Sequence, residues 1–297
     1  MSLFRDALTW ADTGAVAYPA LHKKIVELTM PALVVKKLFP EFPLVAGKTA
    51  TFVKQSGSRS AAISEISEGA EVPMDFTPYT TVIVTPYKKG LRERVSRENI
   101  EDLYIPVIED QLRRLARRMA YTIDKDCMTV IDSAAANSSS GSGTSLSATG
   151  TEFTISGGLG TKDILNAKAK VESYNFIPDA ILLNPINARD VMYLPQFSLH
   201  MQYGEPVIQT GMIGTIYGMA VYISTVVSAG NAYILSSGQN LSASYAPMGF
   251  FVIKRPLLTD IEIKKEFDSV DVTLTTRYSP VVTCGEAIFK VTGLASS

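Results

Sequence analysis

The sequence predicts an α+β fold, with helices concentrated in the first two thirds and strands closing the chain. Three observations carry this. A single apolar stripe at helical spacing runs from Pro106 to Ser133. Two alternating runs rich in Thr and Val, Thr49 to Lys54 and Thr80 to Thr85, flank a long stretch of Ser, Gly, Ala and Glu. Strict alternation then returns near the C-terminus, where Val270, Val272 and Leu274 oppose Asp271, Thr273 and Thr275.

Residues 1–46 alternate short apolar runs with Pro19, Pro31, Pro40 and Pro43. Leu21, Ile25 and Leu28 fall near helical spacing, so one or two short helices are expected on an otherwise extended arm. So modest an apolar face needs another surface to lie on. Residues 47–86 form a projecting loop built as a two-stranded hairpin, because strand-like runs border it at both ends; a loop of this length in a compact domain is usually functional or disordered. Residues 87–150 contain the longest helix, 106–133, with Ile108, Leu112, Leu115, Met119, Ile123, Cys127 and Val130 on one stripe. Pro106 suits its first turn, and Glu101 and Asp102 precede the positive end of its dipole. Its polar face carries Arg113, Arg114, Arg117 and Arg118; with Asp110 and Asp124 flanking them, the reading is a solvated or salt-bridged face.

The Ser/Gly-rich run after this helix is a flexible loop. Within 151–248, Thr161 to Tyr174 and Asn187 to Leu194 read as helices, and Ala180 to Asn184, Met219 to Val227 and Ala232 to Leu235 as strands. Residues 249–297 supply further strands: 249–254, 261–265 and the alternating run to the end.

Composition excludes several functions. The chain has 297 residues, 46% hydrophobic and 19% charged, with 28 basic against 29 acidic side chains and a formal net charge of −1. A dedicated nucleic-acid binder normally carries a strong basic excess. Two cysteines, Cys127 and Cys284, make no disulfide framework and read as small buried residues. Two histidines, His22 and His200, make no histidine-rich metal site. The N-terminus lacks the pattern of a secretory signal, so the default compartment is cytoplasmic. The stretch Pro206 to Ile253 holds no charged residue, yet its Gly, Ser and Thr content and its β-branched runs read as strands and loops, not a membrane span. There is no GxxxxGK[ST], GxSxG or HExxH motif; Ser156 to Asp163 is a glycine-bearing helix start.

The order of elements resembles the major capsid protein of tailed bacteriophages, the Hong Kong 97 type fold, over nearly the whole chain. The run IPDAILLNPINARDVMYLP, followed by IGTIYGMAVYIS with Gly214, Ile216, Gly218 and Val221, looks like that family's axial part. The resemblance implies an N-terminal arm (1–46), an extended loop (47–86), a peripheral domain with its spine helix (87–150), an axial domain (151–248) and strands returning to the peripheral domain (249–297). It implies a structural, non-catalytic protein that self-assembles into pentamers and hexamers of an icosahedral shell around double-stranded DNA. No cofactor, no metal and no membrane are expected. Portal, decoration and separate scaffolding proteins would be partners; the chain starts about 45 residues before the loop, so a fused scaffold is not expected. The virion would be its destination and the host cytoplasm its place of assembly.

In the family the extended loop lies across a neighbouring subunit. Its acidic stretch, Glu65, Glu68, Glu71 and Asp75, is therefore expected to face basic residues near Lys88, Lys89, Arg92, Arg94 and Arg97 of the next copy, with Lys54 and Arg59 also in the contact. Lys54 is the only lysine well within the loop, and no local motif marks a cross-linking asparagine or glutamate, so the type member's covalent link is not expected. An encapsulin, the same fold around protein cargo, is the nearest alternative, and a soluble enzyme with a long loop a remote one.

Overall fold

The computed structural model describes residues 33–55, 79–96, 98, 107–137, 152–193, 212–238 and 247–294. Helix α1, Val107–Asn137, is 31 residues long, about 46 Å at 1.5 Å per residue. Its buried positions, Leu112, Leu115, Ala116, Met119, Ala120, Ile123, Cys127, Met128, Ile131 and Ala135, recur at threes and fours. Ile131 takes the buried position near the end instead of the expected Val130, and the helix runs past Ser133 because Ala134, Ala135 and Ala136 are strong helix formers.

A four-stranded sheet lies against α1. Its order is β1 (Glu41–Pro43), β10 (Gly249–Lys264), β11 (Ser269–Val282) and β4 (Tyr87–Ser96). The two runs expected at 249–254 and 261–265 are one 16-residue strand. Pro256 is tolerated inside it for two reasons: the pairing with β11 shifts between Ile253 and Leu258, and β1 stops at Ile253, leaving the outer edge open. Strand β4 was not expected, because its alternation is of Lys and Arg with few apolar residues; charge on an edge strand is a common guard against stray pairing.

The end of the N-terminal arm lies on its own subunit. Leu33, Val35, Leu38 and Phe39 are buried in the core that α1 makes with the sheet. Asp124 accepts the backbone N–H groups of Val34 (2.8 Å) and Lys36 (3.0 Å). The sequence reading placed Asp124 beside the arginines of the polar face; it is instead 3% exposed, turned inward by those amides. The helices expected earlier in the arm, and the tip of the extended loop, lie outside the described residues.

The second sheet has six strands in the order β5 (Glu152–Gly157), β12 (Ile288–Leu294), β9 (Ala232–Leu235), β6 (Ala180–Leu183), β8 (Met219–Ile223) and β7 (Met212–Ile216). Both its faces are covered. Leu182, Tyr233, Leu235 and Ile288 face the α1 core, while Ile181, Leu183, Ile234, Phe289 and Val291 face the core made with α2 (Thr161–Ser173) and α3 (Pro185–Met192). Double-sided burial explains the unbroken apolar run of β6. Asn184 caps α3, accepting from the Ile186 N–H at 3.0 Å and donating to the Val227 carbonyl at 2.6 Å. The sequence reading grouped Ile288–Leu294 with the returning strands, but β12 pairs with β5 and β9. Gly293 (φ 78°) permits that approach, since a Cβ there would sit 2.2 Å from the Ile155 carbonyl oxygen.

The charge-free stretch contains a hairpin, not a helix. β7 and β8 join through Tyr217 and Gly218, both at positive φ, as a two-residue hairpin turn requires. β8 ends at Ile223, short of the expected Val227. No helix among the described residues is long and apolar enough to cross a membrane.

Candidate assembly surface

Two strands flanking the extended loop, β2 (Ala50–Gln55) and β3 (Tyr79–Val84), pair antiparallel from Ala50↔Val84 to Gln55↔Tyr79. Alternation gives the stem two faces. One packs on its own subunit: Phe52 stacks on Phe250 at 4.9 Å, and Phe42 meets Phe52 edge-on at 5.3 Å. The other points away and is also apolar, with Val53 63%, Ile83 66% and Tyr79 70% exposed. A two-stranded ribbon apolar on both faces with only one covered is a surface made for a partner.

Beside it, β4 sorts its charges by face. Lys88, Arg92 and Arg94 point outward. The fully buried Asp271 of β11 accepts from Arg92 and from Arg94, whose Nε lies 2.8 Å from Oδ1 and Nη2 3.1 Å from Oδ2. The Arg94 guanidinium also sits 4.7 Å from the centre of the Phe267 ring. Lys89 points to the opposite face and bonds Asp126 of α1 at 2.5 Å; Tyr278 Oη donates to the same carboxylate oxygen at 2.5 Å. The basic residues that the sequence reading groups together are thus divided: Lys88, Arg92 and Arg94 share a face, and Lys89 ties the sheet to α1. Lys54 lies on β2. Arg59, Glu65, Glu68, Glu71, Asp75 and Arg97 lie outside the described residues.

The spine helix holds its neighbours through three aspartates. Asp124 binds the arm and Asp126 the four-stranded sheet. Asp132 accepts from Tyr233 Oη at 2.6 Å and pairs with Lys290 at 2.9 Å, which ties in the six-stranded sheet. Burial pushes the Asp124 carboxyl above its ordinary range against the pull of the backbone amides. At Asp132 burial also pushes upward, but the Tyr233 hydrogen bond and the Lys290 ammonium outweigh it and hold the carboxyl low. Burial and a facing aspartate raise the hydroxyl pKa of both Tyr233 and Tyr278, so both stay protonated donors.

Sequence reasoning missed Asp271 and the outer face of the hairpin. Alternation alone assigns Asp271 to a solvent face; the arginines that bury it arrive from β4, 177 and 179 positions away. The signal for the hairpin face was present in Val53, Tyr79 and Ile83, a second apolar row out of phase with the first. Among the described residues no group of three or more His, Cys, Asp or Glu side chains could hold a metal ion.

A family model described as phage capsid protein matches residues 79–291. Among solved structures, that of Mycobacterium phage Bobi is similar at TM-score 0.63 and 14% identity over 89% of this chain and 90% of that one. The capsid structure of cyanophage P-SCSP1u is similar at TM-score 0.64 and 13% identity over 89% of each. The holo-SrpI encapsulin complex from Synechococcus elongatus PCC 7942 is similar at TM-score 0.59 and 12% identity, over 88% of this chain and 87% of that one. No curated protein matches the chain.

Proposed function

For a chain that belongs to the phage capsid protein family, we propose that its work is to tile: copies assemble into pentamers and hexamers of an icosahedral shell enclosing double-stranded DNA, with no catalytic step. The fold is the Hong Kong 97 type. The observation that carries the proposal is the β2–β3 stem, whose second apolar face is exposed, with no cover among the described residues. A neighbouring copy is the natural cover, because a closed shell brings the same surface to every subunit boundary.

The charges extend this. The acidic residues Glu65, Glu68, Glu71 and Asp75 of one copy would meet the outward Lys88, Arg92 and Arg94, with Arg97, of the next. Asp271 offsets part of that positive charge, so the contact would steer and register the subunits more than bind them. Reversing Glu65, Glu68 and Glu71 to Lys should impair assembly at low salt while the subunit stays folded; unimpaired assembly would refute the pairing.

Electron microscopy of recombinant protein tests the main proposal. Closed shells with five- and six-fold capsomers are expected, and a monomer that persists at every concentration would overturn it. The likeness to the encapsulin supports a second reading, a shell around protein cargo, which particles purified from the native source would separate by holding cargo protein instead of DNA.

A further inference from the structure

The outer face of the four-stranded sheet carries three cations in one rung. Lys88 of β4 lies opposite Arg277 of β11, and Arg277 opposite Arg255 of β10. Like charges directly opposite on neighbouring strands are destabilising. None of the three has an ion pair among the described residues. Arg277 Nε donates to the Pro86 carbonyl at 3.0 Å and Arg255 Nη2 to Thr275 Oγ1 at 3.2 Å. Arg255 Nε is buried with no acceptor among the described residues. Further along the face the cations are answered: Asp271 accepts from Arg92 and Arg94, and Glu262 pairs with Lys264. Asp260 lies in the rung of Arg92, two strands across from it and about 14 Å along the sheet from the rung of three. Glu93 points to the α1 side, and Glu41 pairs with Lys36 at 2.7 Å.

Two backbone features open this rung to a ligand. Register shifts flank Arg255 on both sides, and such bulges re-aim a side chain; here the guanidinium turns to Thr275. Between Lys88 and Arg92 stands Gly90, opposite Thr275, where a Cβ would lie 2.8 Å from the Leu274 carbonyl oxygen. A glycine inside a strand marks a place where a ligand or another backbone comes close, and this one leaves a gap in the row of side chains. We propose that the gap, bounded by Lys88, Arg92, Arg255, Arg277 and the Thr275 hydroxyl, is a binding site for a phosphate dianion. Guanidinium forks match phosphate oxygens in bidentate pairs. The Thr275 hydroxyl accepts from Arg255 and keeps its proton to donate to the ligand. Three positive charges without an ion pair suit a dianion better than a single carboxylate. The site belongs to the subunit alone and goes beyond the shell reading. It shares Lys88 and Arg92 with the proposed subunit contact, so phosphate seated there competes with the neighbour's carboxylates.

The test is equilibrium dialysis of unassembled full-length subunit against radiolabelled inorganic phosphate at fixed ionic strength. Saturable binding of one phosphate per subunit is expected. Each hydrogen-bonded charge removed should cost about 10-fold in affinity, so Arg255→Gln should bind about 10-fold more weakly and Arg255→Gln/Arg277→Gln about 100-fold. Lys88 is exposed, so Lys88→Gln keeps the fold and should also lose about 10-fold, which leaves the inference testable if the arginine variants unfold. Lys162→Gln, at an exposed cation on α2, should bind as the wild type does. No saturable binding by the wild type overturns the inference, and so does an unchanged affinity in folded Lys88→Gln. A synthetic peptide spanning Glu65 to Asp75 that binds more tightly than phosphate through the same three cations would also overturn it, by assigning the gap to a neighbouring copy's carboxylates. Because every arm uses the unassembled subunit, a failure to form shells refutes the proposed function and not this site.

Discussion

Replacing Val53 and Ile83 by Thr tests whether the outer face of the hairpin is an assembly surface. Thr keeps the β-branched shape that a strand favours, and both side chains point away from the subunit's own core, at 63% and 66% exposed. Full burial of a Val or Ile stabilises by roughly 1.5–3 kcal/mol. With about two thirds of that burial still outstanding, each would contribute about 1–2 kcal/mol when a neighbour covers it. The double variant should then weaken each subunit contact by about 2–4 kcal/mol, a factor of about 30 to 700. Light scattering against protein concentration should show the assembly threshold rising steeply, while urea denaturation of the subunit should move by less than about 0.5 kcal/mol. A subunit that loses several kcal/mol would mean that the face is internal, and shells forming at the wild-type threshold would mean that no neighbour covers it. Either result refutes the reasoning.

Tyr222→Lys and Tyr217→Lys should separate folding from assembly: Tyr222 packs against the α1 core and its substitution should unfold the subunit, whereas Tyr217 sits exposed on a hairpin turn and its variant should fold, as thermal melts of the two would show. Asp124→Ala should cost about 2 kcal/mol by leaving the Val34 and Lys36 amides without their acceptor, and limited proteolysis should then cut near residue 33. The pH dependence of two variants should run in opposite senses. Asp132 has a lowered pKa, so its contribution is present above the ordinary 3.8 and lost as pH falls through the lowered value; the stability gap between wild type and Asp132→Asn should narrow on acidification. Asp124 has a raised pKa, so its contribution is full below 3.8 and lost as pH rises through the raised value; the gap for Asp124→Asn should widen on acidification.

Local periodicity made the elements legible. The α1 stripe, the β2–β3 pair, α2 and the short strand of β6 follow from side-chain spacing, because whether a segment is a helix or a strand depends on which of its own residues fall on one face. The missed strands share a reason. β4 alternates charges and β5 is a short run after a Ser/Gly-rich stretch of sequence, so neither carries an apolar period. β7, by contrast, lies inside an apolar run that continues into β8, and only the Tyr217–Gly218 turn divides them.

The sequence by itself determined the mixed class of the fold, the long helix α1 and the β2–β3 pair, since these rest on side-chain spacing within a few residues. Only the tertiary structure decided which sheet β12 joins, which face of β4 each cation takes, and what each aspartate of α1 does. Asp124, Asp126 and Asp132 are alike in sequence, three carboxylates on one helix. Partners at residues 34 and 36, at 89 and 278, and at 233 and 290 give them separate roles. A charge's role depends on what surrounds it, and in a folded chain that is set by segments far away in sequence.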